Sequence, residues 1–182
     1  MPAQDPAEDL SLIFRALEFA AARHRDQTRK DAEKTPYINH PIDLAKLLVD
    51  EAGVTDPIVI AAAILHDTVE DTETRIEEIA QHFGPDIAQI VAEVTDDKSL
   101  LKEERKRLQV ERAAHCSPGA RLVKLADKIC NLRDMAERPP ANWSEARKLE
   151  YFDWALSVID QLRGTHAALE TLFDEAHRRG PS

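Results

Sequence analysis

The sequence predicts an all-α fold, an orthogonal helical bundle of about nine to ten helices. Apolar residues recur at the spacing of amphipathic helices along most of the chain. Glycine is scarce, at five residues in 182, and aromatic residues make up 5%, which disfavours a β-rich fold. The length suits a single domain, which we expect to span residues 1–182 with a core at about 10–175.

Proline, glycine and capping residues predict where each helix begins and ends. A third helix opens at Asp56 and Pro57, and the run IVIAAAILH is apolar on every side, so this helix should be buried. Thr74 with Glu77 predicts a capping box for the fourth helix, which Gly84 closes. Before these two helices, the sequence predicts a first helix at 9–24, a loop at 25–38, and a second helix with Asn39 or His40 as its N-cap and Gly53 as its stop. After them it predicts a fifth helix from Pro85, a charged helix at 100–115 and a helix capped by Ser117. The last two predicted helices run from Ser144 to about Leu162 and from there to an end near Arg179.

Bulk composition excludes several classes of protein. The net charge of −10 disfavours a nucleic-acid binder, which needs a basic surface. No apolar run approaches the roughly 20 residues that cross a bilayer, and the first ten residues, MPAQDPAEDL, are acidic and polar and do not show the basic-then-apolar pattern expected of a secretion signal. The two cysteines, Cys116 and Cys130, form no CxxC pair. We therefore expect a cytoplasmic protein, monomeric or homo-oligomeric, with neither a nucleic-acid nor a membrane partner.

Charge is unevenly distributed along the chain. An acidic segment at 66–78 contains six acidic residues and one arginine, and a basic segment at 98–107 contains five basic and two acidic residues. Such segments either build a site for a cation and an anion together or are solvated helix faces.

The motif HDTVED at 66–71 lies at the end of the apolar third helix. Glu70 follows His66 by four residues, and Asp71 follows Asp67 by four, so each pair lies one helical turn apart on one face. A helix at the edge of a core cannot hold several carboxylates without compensation, which a divalent cation would supply. A lone His-Asp pair, in contrast, is more often a capping or surface feature.

Two further residues are candidates for completing a metal site. His40 stands at the start of the second helix in YINHP, and Asp127 lies beside the apolar stripe of a core helix in LVKLADKICNLRD. Two histidines and two aspartates make a mixed nitrogen and oxygen site with room for water. Such a site suits Mn²⁺, Fe²⁺, Zn²⁺ or Co²⁺ better than Ca²⁺.

Five segments together resemble the HD-domain hydrolases of the RelA/SpoT kind, in particular their small single-domain form, the metazoan SpoT homologue type. The segments are HRDQTRKDAEKTPYINHP (24–41), AAAILHDTVEDT (61–72), VTDDKS (94–99), ERKRLQ (104–109) and RLVKLADKICNLRDM (121–135). The resemblance implies removal of pyrophosphate from the 3′ position of guanosine polyphosphates, giving GDP or GTP, without the synthetase activity of longer members.

The resemblance also implies roles for individual residues. One divalent ion, usually Mn²⁺, would be held by four side chains, and an acidic pair would orient and activate the attacking water. Basic and polar residues would line the substrate pocket. The ligands would be His40, His66, Asp67 and Asp127, the acidic pair Glu70 and Asp71, and the substrate contacts Arg29, Lys30, Lys102, Asn131 and Tyr151.

Two other functions use the same features. One is a metal-dependent phosphatase acting on another nucleotide, such as the 2′-phosphate of NADPH, which would share the metal and acids and differ in the pocket. The other is a non-catalytic helical module that binds a nucleotide. The acidic pair argues against the second, because a binder needs no groups that activate water.

Overall fold

The computed structural model describes residues 5–181, and regular structure in that range is helical. An isolated backbone bridge between Thr28 and Pro36 is the one extended pairing within those residues. The all-α prediction, with about nine to ten helices, is confirmed. The α-helices are, in chain order, Pro6–Arg23 (α1), Asn39–Lys46 (α2), Pro57–Leu65 (α3), Thr68–Asp71 (α4), Ile76–Phe83 (α5), Pro85–Val94 (α6), Lys102–Ala113 (α7), Pro118–Glu137 (α8), Glu145–Asp160 (α9) and Ala167–Arg179 (α10).

Helix α3 is the centre of the bundle, as its all-round apolar sequence predicts. It packs against α1, α2, α6 and α8, and seven of its nine residues are buried. Full burial of an aliphatic side chain such as Leu65 stabilises the fold by about 1.5–3 kcal/mol. The helix carries the start of the HDTVED motif out of the core, which fixes where that motif lies.

Several predicted boundaries are confirmed by their capping contacts. The side chains of Asp56, Ser117 and Ser144 accept hydrogen bonds from the first turns of α3, α8 and α9. Gly84 ends α5 with a φ of 91°, a conformation that side-chain-bearing residues rarely adopt. These signals are local, so they hold without knowledge of the tertiary structure.

The predicted start of α2 is wrong. The N-cap is Ile38, in helical conformation and without a side-chain hydrogen bond, rather than Asn39 or His40. The chain enters α2 through a turn in which the amide of His40 donates to the carbonyl of Tyr37. His40 is buried and directed to the interior, so its side chain is not available for capping. Beyond α2, residues Leu47–Glu51 form a π-helical turn.

The predicted capping box at Thr74 is also wrong. Helix α5 has Arg75 as its N-cap, without a side-chain hydrogen bond. Thr74 is buried, and its hydroxyl lies 2.8 Å from that of Thr72. Packing of this turn therefore overrides the local capping preference of the threonine.

None of the helices within residues 5–181 combines the length and the hydropathy that a bilayer crossing requires.

Candidate metal centre

The HDTVED motif lies at a bend and not on one continuous helix, which corrects the prediction from its spacing. Helix α3 ends at Leu65, and α4 begins at Thr68. The hydroxyl of Thr68 donates to the carbonyl of Leu65 at 2.6 Å, and the amide of Asp71 donates to the carbonyl of Asp67 at 2.8 Å. The bend leaves His66 and Asp67 at the junction of the two helices.

The four side chains predicted as metal ligands converge at this junction. Nε2 of His66 lies 2.9 Å from Oδ2 of Asp67 and 3.8 Å from Oδ1 of Asp127. Nε2 of His40 lies 3.9 Å and 3.2 Å from the same two oxygens. Ligand atoms of His40, His66 and Asp67 all lie within 4.8 Å of one another. Side chains from α2, the bend and α8 thus meet at one point.

The hydrogen bonding of His66 suits a metal ligand. Its Nδ1 lies 2.8 Å from the carbonyl oxygen of Ala63, which only accepts, so Nδ1 carries a proton and the neutral form of the ring presents its lone pair at Nε2. Although Oδ2 of Asp67 lies 2.9 Å from this buried Nε2, no group among residues 5–181 meets it with the geometry of a hydrogen bond. An imidazole oriented by a backbone carbonyl, with carboxylates beside its free nitrogen, is a donor set for a divalent transition metal.

The electrostatics keep the carboxylates of the cluster ionised. Burial opposes ionisation, but the two histidines outweigh it and lower the pKa of Asp67. Lys128 and the histidines have the same effect on the pKa of Asp127. Burial lowers the pKa of His66, yet Asp67 and Asp127 together raise it to about 9. A cation at this position would replace the proton that the histidine otherwise holds.

The acidic pair occupies two different environments. Burial raises the pKa of Glu70 to about 7, against the opposing effect of the Asp96 amide, which donates to Oε2 of Glu70 at 3.0 Å. Asp71 instead forms an ion pair with Lys98. Glu70 is therefore the carboxylate that can both take up and release a proton near neutral pH.

Tyr37 is a site residue that sequence reasoning missed. Its hydroxyl lies 2.5 Å from Oδ2 of Asp67 and 3.1 Å from Oδ2 of Asp71. The ring of Tyr37 stacks on the buried ring of His24 at a centroid distance of 4.8 Å. The available signal was its position three residues before His40 in the YINHP segment.

Two cavities meet at the cluster. The metal cavity, of about 290 Å³, contains the four converging side chains together with Glu70 and Asp71. The outer cavity, of about 460 Å³, adjoins it and extends past the loop that precedes α2. The residues that line both are Arg29, Lys30, Tyr37, His40, Asp71, Asn131 and Tyr151.

Four of the five predicted substrate contacts line both cavities, namely Arg29, Lys30, Asn131 and Tyr151. Lys102 is different, because it is exposed at the first residue of α7 and lines neither of the two.

Asn131 connects the metal cluster to the loop before α2. Its amide nitrogen donates to Oδ1 of Asp127 at 2.6 Å, and its amide oxygen accepts from Arg29 at 3.0 Å. Arg29 also donates to Asp134 at 2.7 Å. Lys128, which sequence reasoning did not select, donates to Oδ2 of Asp127 at 2.8 Å and is 6% exposed. Both Asp127 oxygens are thereby oriented by neighbours on α8.

Carboxyl groups are matched in number by lysine and arginine side chains at the metal cavity. Four carboxylates and four basic side chains line it: Asp67, Glu70, Asp71 and Asp127 against Arg29, Lys30, Lys124 and Lys128. A divalent cation would leave the cavity with surplus positive charge. Such a cavity suits a polyanion even though the whole chain carries a net charge of −10.

Comparison with known proteins identifies relatives of this chain. A family model described as HD domain matches residues 16–152. A Xenopus tropicalis protein, guanosine-3′,5′-bis(diphosphate) 3′-pyrophosphohydrolase MESH1, is 58% identical over 168 residues, or 92% of this chain and 94% of that protein. The Homo sapiens protein of the same name is 58% identical over 158 residues, or 87% of this chain and 88% of that protein.

A solved structure is similar over nearly the full chain. It is described as a metazoan ortholog of SpoT that hydrolyses ppGpp and plays a role in starvation responses. The TM-score is 0.91 at 49% sequence identity, and the match covers 97% of this chain and 98% of the other. The chain belongs to the HD-domain family and, within it, to the small single-domain MESH1 type.

Proposed function

We propose that this protein is a guanosine-3′,5′-bis(diphosphate) 3′-pyrophosphohydrolase, which converts ppGpp and pppGpp into GDP and GTP plus pyrophosphate. The observation that carries the proposal is the convergence of His40, His66, Asp67 and Asp127 beside a buried carboxylate, Glu70. The relatives named for this activity cover almost the whole chain, so the proposal concerns the protein as a whole.

We assign the metal to the four converging residues, with Mn²⁺ as the first candidate and Fe²⁺, Zn²⁺ or Co²⁺ as alternatives. A divalent ion in such a site polarises a phosphoryl oxygen and lowers the pKa of a coordinated water. Tyr37 holds Asp67, while Lys128 and Asn131 hold Asp127, so the ligand carboxylates keep their orientation.

The hydrolysis joins a water oxygen to the phosphorus that bears the ribose 3′-oxygen, and the bond between that phosphorus and the 3′-oxygen breaks. The water loses one proton and the 3′-oxygen gains one. Glu70 is the group that accepts the proton from water, because burial raises its pKa to about 7. Asp71, held by Tyr37 and Lys98, orients the water.

The outer cavity is the proposed site of the nucleoside and its 5′ phosphates. Arg29 and Lys30 stand where this cavity meets the metal cavity, and there they can neutralise the phosphates. Burial raises the pKa of Tyr151 to about 12, so its hydroxyl stays protonated and can donate to the substrate. Lys102 remains a predicted contact without a place on either cavity wall.

The decisive experiment couples metal content to pyrophosphate release. Purified protein would be assayed for bound metal and for pyrophosphate production from ppGpp, with and without a chelator. We expect chelation to abolish turnover and Mn²⁺ to restore it. Parallel assays with NADPH and unrelated nucleotides separate the alternatives: equal turnover of all of them would reject guanosine polyphosphate specificity, and binding without turnover would indicate a non-catalytic module.

The remaining proposals concern the setting of the enzyme. The free, buried cysteines Cys116 and Cys130 support a reducing cytoplasmic compartment. The proposal of a single domain over residues 1–182 is supported, within residues 5–181, by one connected cluster of buried apolar side chains. The proposed partner is the small-molecule substrate, with neither a nucleic acid nor a membrane, and a homo-oligomer stays a prediction.

A further inference from the structure

Helix α8 passes three cavities in succession. Asp134 and Arg138 line the outer cavity, Asn131 lines the outer and metal cavities, and Asp127 lines the metal cavity. Lys124 lines the metal cavity and also a third cavity of about 200 Å³. Because a helix rises about 1.5 Å per residue, Lys124 lies about 4.5 Å along the axis from Asp127, on the side away from Asn131.

The third cavity therefore lies beyond the metal cluster as seen from the outer cavity. Gln109 of α7 stands with Lys124 at the boundary between the metal cavity and the third cavity. The amide nitrogen of Gln109 donates to Asp96 at 2.7 Å, and the backbone amide of Asp96 donates to Glu70. This wall is thus continuous with the proposed proton acceptor.

Lys124 differs from the other buried bases of the metal cavity. Arg29 is paired with Asp134, and Lys128 with Asp127. Lys124 is only 7% exposed, yet no hydrogen bond or ion pair joins its ammonium group to any residue within 5–181. Nearby carboxylates act on this ammonium through their charge and without direct contact. A buried ammonium that lacks a direct hydrogen-bond partner is costly to the fold, so an anion that enters the cavity can bind to it there.

We propose that Lys124 binds the terminal phosphate of the substrate's 3′-diphosphate and retains it in the pyrophosphate product, which makes Lys124 a specificity-determining residue. This inference rests on the proposed function. With the nucleoside in the outer cavity and the scissile phosphorus at the metal cluster, the terminal phosphate is the group that extends towards Lys124. A 3′-monophosphate would end at the cluster and leave the ammonium unpaired.

The energetics support this position. Burial, and after it the charge of Lys128, lowers the pKa of Lys124, and the charges of Asp96 and Asp127 offset this only in part. An anion that contacts Lys124 opposes both effects, because it replaces lost hydration and neutralises the repulsion between the two lysines. A charge-assisted hydrogen bond from an ammonium to a phosphate oxygen is also among the stronger hydrogen bonds in proteins.

The test compares pyrophosphate with phosphate as ligands. Calorimetry would measure the affinity of inorganic pyrophosphate and of inorganic phosphate for Mn²⁺-loaded, dialysed protein, in the wild type and in Lys124→Met. We expect the variant to bind pyrophosphate roughly 10- to 100-fold more weakly and phosphate less than about threefold more weakly. Lys124→Arg, which keeps the charge, should retain part of the preference, and Lys46→Met on the surface of α2 should behave as wild type.

Activity then separates this inference from the proposed function. Turnover of ppGpp by the wild type tests the proposed function. To test the inference, the turnover of a 3′-diphosphate substrate is divided by that of a 3′-monophosphate substrate, and this ratio is compared between the wild type and Lys124→Met. A fall in that ratio supports it. An unchanged ratio, equal losses of pyrophosphate and phosphate affinity, or no binding of pyrophosphate by the wild type would each overturn it. A melting temperature at or above that of the wild type would show that Lys124→Met folds, because the substitution removes a buried charge.

Discussion

The acidic segment at 66–78 and the basic segment at 98–107 have similar charge densities, but the acidic segment lines the metal cavity and the basic segment does not. The acidic segment supplies Asp67, Glu70 and Asp71 to the metal cavity. The basic segment lies largely on α7, and Arg107 there is paired with Glu104 and Glu111 on the same helix. Its members that approach the site do so indirectly, as Lys98 does through its ion pair with Asp71.

The comparison teaches that burial marks most of the functional charges better than local charge density does, because of the four bases at the metal cavity only Lys30 is exposed. The bases at the metal cavity are Arg29 and Lys30 from the loop before α2, and Lys124 and Lys128 from α8. Arg29 and Lys30 belong to a basic stretch at 23–34 that the sequence shows, whereas Lys124 and Lys128 lie among apolar residues and belong to no run of like charge. A solvated, internally paired run contributes little to a site, since water and its own partners already screen it.

Removal of a metal ligand from the acidic segment should give the largest loss of activity. We expect His66→Ala to lose its metal and to lower kcat/KM for ppGpp about 1,000-fold or more, because metal chemistry supplies several kcal/mol of transition-state stabilisation. Metal analysis and pyrophosphate release would measure this. His82→Ala, at an exposed histidine near the end of α5, is the control. Retention of metal by His66→Ala would contradict the assignment.

Glu70→Gln should separate catalysis from metal binding. We expect a loss of about 100-fold or more in kcat with near-normal metal content, because the amide cannot accept a proton from water. Glu73→Gln is a matched control, since Glu73 belongs to the same acidic segment but is exposed. If both variants kept full activity, burial would not be the property that distinguishes the functional acid.

The pH dependence of stability sharpens the same point in metal-free protein. Burial raises the pKa of Glu70 from 4.5 to about 7, so the folded state binds the proton more tightly than the unfolded state does. The contribution of Glu70 to stability is therefore present below pH 4.5 and is lost as the pH rises through 7. Glu70→Gln should be more stable than wild type at pH 8 by about 1–3 kcal/mol and similar to it at pH 4. Denaturant unfolding at both pH values would measure the difference, and a constant difference would contradict the assigned pKa.

Tyr37→Phe should have an intermediate effect. The substitution removes the hydroxyl that holds Asp67 and keeps the ring that stacks on His24. We expect metal affinity to fall roughly 10-fold, which is typical of the loss of a group that orients a ligand. Titration with Mn²⁺ would measure the affinity. An unchanged affinity would mean that Asp67 is held in place without the tyrosine.

The basic segment should give the smallest effect. We expect Arg107→Ala to change kcat/KM for ppGpp less than about twofold, because its pairs are exposed and lie within α7. Steady-state kinetics at two salt concentrations would test this. If Arg107→Ala lost much of its activity, and added salt lowered the activity of the wild type to a similar extent, the basic segment would instead attract the substrate from a distance.

Much of the fold was predictable because helix signals are local. The caps at Asp56, Ser117 and Ser144 and the stop at Gly84 were read from neighbouring residues, and the structure has them where expected. The capping box at Thr74 failed because burial of that residue depends on packing.

The candidate site was predictable in part. The sequence predicts His40 and Asp127 as candidates from a helix start and from the apolar stripe of a core helix, and the fold brings their side chains together. Lys102 was named from resemblance alone, and its exposed position at the start of α7 gives that assignment no geometric support.

By itself, the sequence determined the all-α class, most helix limits, and the set of histidines and acids available for a metal. Only the tertiary structure decided the bend at His66, the contact of Tyr37 with Asp67, and the burial of Lys124 without a direct ion pair among residues 5–181. The physical reason is how far apart in the sequence the interacting residues lie. Capping and periodicity depend on residues a few positions apart, whereas burial and charge pairing depend on which distant segments of the chain pack against each other.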